Sequence, residues 1–281
     1  MNHEVFAALG EALKNGEDVA LVTIVRANGS TPQRVGAKML VFADGRVVGT
    51  IGGGCYENDA LWKAREVLET RKATTVRYEL ADDFAEETGL ICGGQMDVFV
   101  EPIEPSPALY IFGAGHVGLY LGRLAHEAGF EIHIVDDREK FANRERFPDA
   151  CEIVVDEIPV WLGRTTLPTS AYVVIVTRGH RNDLDAMRAL TPRRLRYLGL
   201  IGSRAKVKRI YDALIEEGTV VPEHLARVNA PIGLDIGAVT PQEIAVSILA
   251  ELIAVRRGRA SAVAGASLRW MPALDAVPSR P

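Results

Sequence analysis

The chain has 281 residues, 48% of them hydrophobic and 25% charged, with a formal net charge of −5. That composition excludes global disorder and supports a folded core in each of about two domains. The acidic balance lacks the basic face that phosphate-backbone binding requires, so no nucleic-acid partner is expected. Three cysteines are too few and too scattered for a disulfide framework or a four-ligand zinc site, and free thiols in a reducing cytoplasm are the expectation. The amino terminus has no basic segment followed by an apolar run, and no stretch reaches ~18 apolar residues, so neither a signal peptide nor a membrane span is expected.

In chain order, Val5, Phe6, Leu9 and Leu13 fall at helical spacing. A strand-like run follows over 19–25. Asp44-Gly45, between two apolar runs, signals a hairpin. Residues 56–71 read as a helix and 74–80 as a strand, and a glycine-rich turn at 92–94 leads into another strand. Three prolines within 101–108 deny regular structure there and mark a domain boundary. This gives an amino-terminal domain over 1–104 and a second domain over 109–256.

The pattern then changes. Strands are expected at 109–115, 131–137, 151–156, 171–177 and 195–203, with helices at 183–190, 204–217 and 240–256. This alternation implies parallel strands joined by crossover helices, hence a doubly wound sheet. Residues 257–281 mix Arg, Ala, Ser, Gly and Pro without period and read as a frayed, flexible tail.

The string Gly113-Ala114-Gly115-His116-Val117-Gly118 lies after a strand and opens a helix, with Asp136 and Asp137 ending the next strand. In a Rossmann-like fold the first glycine makes the turn, the second admits a pyrophosphate, the third lets helix and strand approach, and the acidic group accepts a ribose hydroxyl. A tight turn that binds nothing is the simpler alternative.

Cysteines accompany glycines twice. Gly52-Gly53-Gly54-Cys55 offers bare backbone N–H groups and a thiol ahead of a helix, where the dipole favours the thiolate, and Cys92-Gly93-Gly94 repeats the pattern. Cys151, in an apolar run, reads as core. Gln33 and Arg34 sit in a loop where a guanidinium suits a phosphate. Thr177, His180 and Asp183 follow a strand of the second domain, at the carboxyl end where open sheets carry ligands. Ser203 and Arg204 repeat this at the next strand. The basic run over 193–209 reads as a solvated face. Thr240-Pro241-Gln242-Glu243 reads as a capping box.

Taken together, GSTPQRVGAKMLV (29–41), GTIGGGCYE (49–57), LICGGQMDVFVEP (90–102), IFGAGHVG (111–118), YLGLIGSRAK (197–206) and PIGLDIGAVTPQEIAVSILAEL (231–252) resemble the XdhC/CoxI family, from about residue 18 to 256. The resemblance implies a small α+β amino-terminal domain before a Rossmann-like one. It also implies an accessory factor, a chaperone more than a catalyst, for a xanthine dehydrogenase-type hydroxylase. Such a factor binds molybdenum cofactor (molybdopterin, with or without a nucleotide extension), assists its sulfuration with a cysteine desulfurase, and inserts it into the apo-hydroxylase. A homodimer is a further expectation. Candidate ligand-handling residues are Gly52, Gly53, Gly54, Cys55, Cys92, Gly113, Gly115, His116, Gly118, Asp136, Asp137, Thr177, Ser203 and Arg204. Cys55 and Cys92 would stand as neighbours of molybdenum, and His180 and Asp183 are further candidates for chemistry. The family's THxHxxD-like string here has Arg178 in place of its first His. The competing reading is an NAD(P)-dependent oxidoreductase using the same glycine turn.

Overall fold

A computed structural model describes residues 2–79 and 94–270. The chain separates into two compact units, Met1–Ser106 and Pro107–Pro281. The Cys92-Gly93 turn and residues 271–281 lie outside the described residues.

Among the described residues, the first unit is an antiparallel sheet of order β3-β2-β1-β5-β4 with two helices. Its elements are α1 (Asn2–Lys14), β1 (Val19–Asn28), β2 (Lys38–Phe42), β3 (Val47–Gly49), α2 (Gly54–Thr70), β4 (Thr74–Glu79) and β5 (Gln95–Ile103). Central β1 is apolar on both faces because both are covered. Ala20, Val22 and Ile24 pack with Ala60, Ala64 and Val67 of α2, whereas Val19 and Leu21 pack with Val5 and Ala12 of α1. The hairpin falls at Asp44-Gly45, where Gly45 has φ 91°, a conformation glycine adopts without strain.

The second unit is a doubly wound parallel sheet of order β10-β9-β6-β7-β8. Its elements are β6 (Ala108–Phe112), α3 (His116–Glu127), β7 (Glu131–Asp136), β8 (Glu152–Val155), α4 (Ile158–Arg164), β9 (Tyr172–Ile175), α5 (His180–Leu190), β10 (Tyr197–Leu200), α6 (Arg204–Glu216), α7 (Pro222–Leu225) and α8 (Pro241–Arg256). Alternate residues of β6 serve opposite layers. Leu109 and Ile111 face Leu121 of α3 and Ile248 and Leu252 of α8, while Tyr110 and Phe112 face Trp161 of α4 and Met187 of α5. Strand order reverses between β6 and β9, which opens a crevice at their carboxyl ends.

The sequence reading misses α4, whose Pro159 marks the start of the helix and does not break it. Helix α8 begins with the expected capping box: Thr240 accepts from the Glu243 N–H while the Glu243 carboxylate accepts from the Thr240 N–H. Residues 257–270 differ from the tail expected of them. Ala260–Ala266 form a 3₁₀ helix, Ser267 donates to the buried carboxylate of Glu251 at 2.7 Å, and the N–H groups of Leu268 and Trp270 bond to Gly233 and Ala230. Among the described residues no helix is long and apolar enough to cross a membrane.

Candidate functional site

Two of the three glycines of the βα turn, Gly113 and Gly118, take the steric roles expected of them. Gly113 has φ 115°, and a Cβ there would lie 2.5 Å from the Val176 carbonyl oxygen. A Cβ on Gly118 would be driven into the Gly113 carbonyl, so helix and strand meet only because that position is bare. Gly115 caps α3 in an extended conformation with open space where its Cβ would be. Among the described residues no side chain caps α3, which leaves its first amides facing that space with the positive end of the helix dipole.

A cleft of about 280 Å³ opens beside the turn. Gly113, Asp136, Asp137 and Arg138 line one wall, Glu157 and Pro159 a second, and Thr177, Arg178, Arg181 and Asn182 the third. Of the residues singled out from sequence, it gathers Gly113, Asp136, Asp137 and Thr177. Asp183 lies wholly buried beneath Thr177, whose hydroxyl donates to it at 2.7 Å, and Lys206 pairs with its other oxygen. It therefore orients Thr177 and does not face the cleft. His180 and Arg204 are exposed at the first positions of α5 and α6, outside the cleft lining, as is Ser203, which caps α6 by accepting from the Lys206 N–H. His116 is exposed at the start of α3.

Asp136 is not the free acceptor that the sequence suggests. Its Oδ1 accepts from the N–H of Arg138 at 3.0 Å and from Nε of the same residue at 2.7 Å, and its Oδ2 from the Ala114 N–H at 2.7 Å and Arg138 Nη2 at 2.8 Å. Burial pushes this carboxyl up, but the Arg138 guanidinium and the two amides outweigh it and hold it below the usual carboxylate range. Arg146 donates to the Ala114 carbonyl, so both backbone polar groups of Ala114 are held, the N–H by Asp136 and the C=O by Arg146. Arg138, Arg181 and Asn182 are lining residues the sequence reading missed. The available signal was their position one or a few residues past a strand end.

In the first unit, Gly52, Gly53 and Gly54 all have positive φ (130°, 77° and 75°) and lead into α2. The amides of Gly52 and Gly53 are not bare. The Glu57 carboxylate accepts from Ile51 and Gly53 N–H at 3.0 Å each and from the Thr50 hydroxyl at 2.5 Å, while the Gly52 N–H bonds to Thr50. Burial opposes ionisation of Glu57, yet these donors together hold its carboxyl below the ordinary value. The amides of Ile51, Gly52 and Gly53 are thus engaged internally, and Cys55 is exposed in the first turn of α2. The loop over 29–36 packs beside this turn: a Cβ on Gly52 would lie 2.5 Å from Pro32, and one on Gly94 would strike the Ser30 carbonyl. Arg34 on that loop is exposed and Gln33 half-buried. Cys151 is exposed and not core, because it immediately precedes β8 at the edge of the sheet.

Fold and cleft define a two-unit protein whose second unit is a Rossmann-type domain. Comparison with known families narrows this. Residues 109–252 match the XdhC Rossmann domain and residues 12–79 the XdhC and CoxI family, and the chain belongs to that family. Among relatives, YqeB of Escherichia coli (strain K12) is 37% identical over 238 residues, which cover 84% of this chain but 43% of that protein, so this chain spans less than half of it. A probable xanthine dehydrogenase subunit of Bacillus subtilis (strain 168) is 25% identical, covering 89% of this chain and 96% of its own. The molybdenum cofactor insertion chaperone PaoD of E. coli (strain K12) is 24% identical, over 88% and 86% of the two chains. A crystal structure described as a xanthine dehydrogenase (BH1974) from Bacillus halodurans superposes with TM-score 0.50 at 26% identity, covering 90% of this chain and 96% of that one.

Proposed function

We propose that the protein is an accessory factor that binds molybdenum cofactor as cargo, assists exchange of an oxo for a sulfido ligand with a cysteine desulfurase, and inserts the cofactor into a cytoplasmic xanthine dehydrogenase-type hydroxylase. The reading is supported by the names of two relatives, a cofactor insertion chaperone and a probable dehydrogenase subunit. The observation that carries it is the open, cationic side of the second unit's cleft. Arg178 and Arg181 are exposed there without an ion-pair partner among the described residues, close to a helix start. The cargo ends in a phosphate, and unpaired guanidinium groups suit it. Separately, in the first unit, the exposed thiol of Cys55 is of a chemistry suited to a soft metal–sulfur group. This assignment makes the protein a carrier: Arg178 and Arg181 bind, Asp183 orients Thr177, and Cys55 stands at the start of α2. Oxidoreductase chemistry with NAD(P) would also use the glycine turn, but the engagement of Asp136 removes the expected ribose acceptor.

The test is co-expression with the cofactor pathway, anaerobic purification, and measurement of molybdenum and pterin with mass spectrometry of the bound species. Near-stoichiometric molybdenum and pterin is the expected result. Absence of both, with the hydroxylase fully active in cells lacking this protein, overturns the reading.

A further inference from the structure

Four donors meet the Asp136 carboxylate: the Arg138 N–H, Nε and Nη2, and the Ala114 N–H. An ionised carboxylate offers roughly four lone-pair sites, so none is left over. The carboxylate is 5% exposed, and the guanidinium that fills it is seated on the Phe141 ring at 4.1 Å. In a Rossmann crevice this carboxylate is where a ribose 2′,3′-diol would bond. Asp137, one residue beyond the strand end, is 40% exposed, so a hydroxyl there only replaces water. Across the cleft Arg178 and Arg181 stay unpaired among the described residues.

We infer that Arg138 is a selectivity residue: it closes the vicinal-diol subsite of the cleft from within, so the cleft holds its ligand by phosphate, through Arg178 and Arg181, and not by a ribose diol. Ligands of the class it accepts are phosphate or pyrophosphate esters whose sugar, if any, goes unread. Nicotinamide and adenine nucleotides lose the diol contact that ordinarily distinguishes them. The inference rests on the reading of this cleft as the ligand site. It does not depend on molybdenum, so its failure is separable from failure of the carrier proposal.

The experiment is calorimetric titration of the whole chain with ADP and with 2′,3′-dideoxy-ADP. The wild type should bind both within about twofold. Arg138→Ala keeps the backbone N–H but frees one site on each oxygen of Asp136, a bidentate match to a diol. ADP should then bind roughly tenfold tighter than its dideoxy analogue. Arg178→Ala with Arg181→Ala should weaken both ligands by roughly tenfold or more. Arg138→Lys, which replaces the fork by a single ammonium, gives an intermediate diol preference and stands in if the alanine variant melts early. A wild type that favours ADP fivefold or more, binding of neither ligand at millimolar concentration, or no diol preference in either Arg138 variant overturns the inference.

Discussion

The glycine turn permits a test that separates folding from binding at two positions three residues apart. At Gly118 an alanine Cβ would lie 3.1 Å from the Gly113 carbonyl carbon and closer still to its oxygen, and both belong to backbone that cannot swing aside. Relief requires α3 to move off β6, where Leu119 and Leu121 are buried. The cost should reach the upper part of the overpacking range, about 3 kcal/mol. With a urea dependence of about 2 kcal/mol per molar, the midpoint of the second unit should fall by on the order of 1 M. At Gly115 nothing lies within 4 Å of the Cβ position, and the backbone (φ −66°, ψ −160°) suits any residue. Aspartate is moreover a good helix N-cap, so Gly115→Asp should leave the midpoint unchanged or raise it slightly. Its charge, however, would oppose a phosphate. At about 4 Å and an effective dielectric of about 20 the repulsion is about 4 kcal/mol. Even with half of that screened, affinity should drop by roughly 30-fold. The assays are urea unfolding by circular dichroism, fitted as two steps for two units, and molybdenum content after anaerobic co-expression. A stable Gly118→Ala, or a Gly115→Asp that folds and still loads fully, would refute the assignment of this turn as the anion cradle.

Other consequences are more local. Because the folded-state value of the Glu57 carboxyl lies below its ordinary 4.5, it contributes stability that is fully present above about pH 4.5 and is lost as pH falls through the depressed value. Glu57→Gln should therefore melt lower than wild type at pH 7, by roughly 1–2 kcal/mol, and converge with it at strongly acid pH, as followed by thermal melts across that range. Lys206→Met leaves the buried Asp183 carboxylate without its cation and should cost about 3–5 kcal/mol, measured by denaturant unfolding. Glu251→Ala removes the acceptor shared by Tyr197, Gly233 and Ser267, and residues 260–270 should then become sensitive to limited proteolysis while wild type resists. The exposed thiols of Cys55 and Cys151 should both be alkylated in the native protein, but only Cys55→Ser, not Cys151→Ser, should reduce sulfuration of the cargo, read by mass spectrometry of the released cofactor.

Much of the fold was legible because its signals are periodic and local. The continuous apolar run of β1 and the alternation of strand and helix after residue 107 each report burial directly. What escaped were features set by a residue's partners at a distance. Cys151 shares an apolar string with β8, but nothing in that string says the strand is an edge. Residues 257–270 have the composition of a tail, yet a carboxylate on α8 and carbonyls at Ala230 and Gly233 hold them. The glycine roles at 113 and 118 were readable because they are steric. The roles of Asp136 and Glu57 were not, because a carboxylate in sequence looks the same whether its lone pairs are free or filled by Arg138 or by the amides of its own turn.

The same reasoning explains how an acidic chain keeps two cleft arginines free of ion pairs among the described residues. Acidic residues outnumber Lys and Arg, 37 to 32, so a surface arginine has carboxylates in easy supply. The carboxylate nearest Arg178 and Arg181 in sequence is Asp183, and the fold withholds it: the side chain is fully buried, with one oxygen given to Thr177 and the other to Lys206. Asp185, the next candidate, is bound to Arg188 at 2.6 Å, and Asp136 is saturated by Arg138. Of the acids that line the cleft, Asp136 and Asp185 are therefore engaged by Arg138 and Arg188, while Asp137 and Glu157 stay exposed on the walls away from α5. On the reading proposed above, a phosphate beside Arg178 and Arg181 would gain from both guanidinium groups and from the positive end of α5.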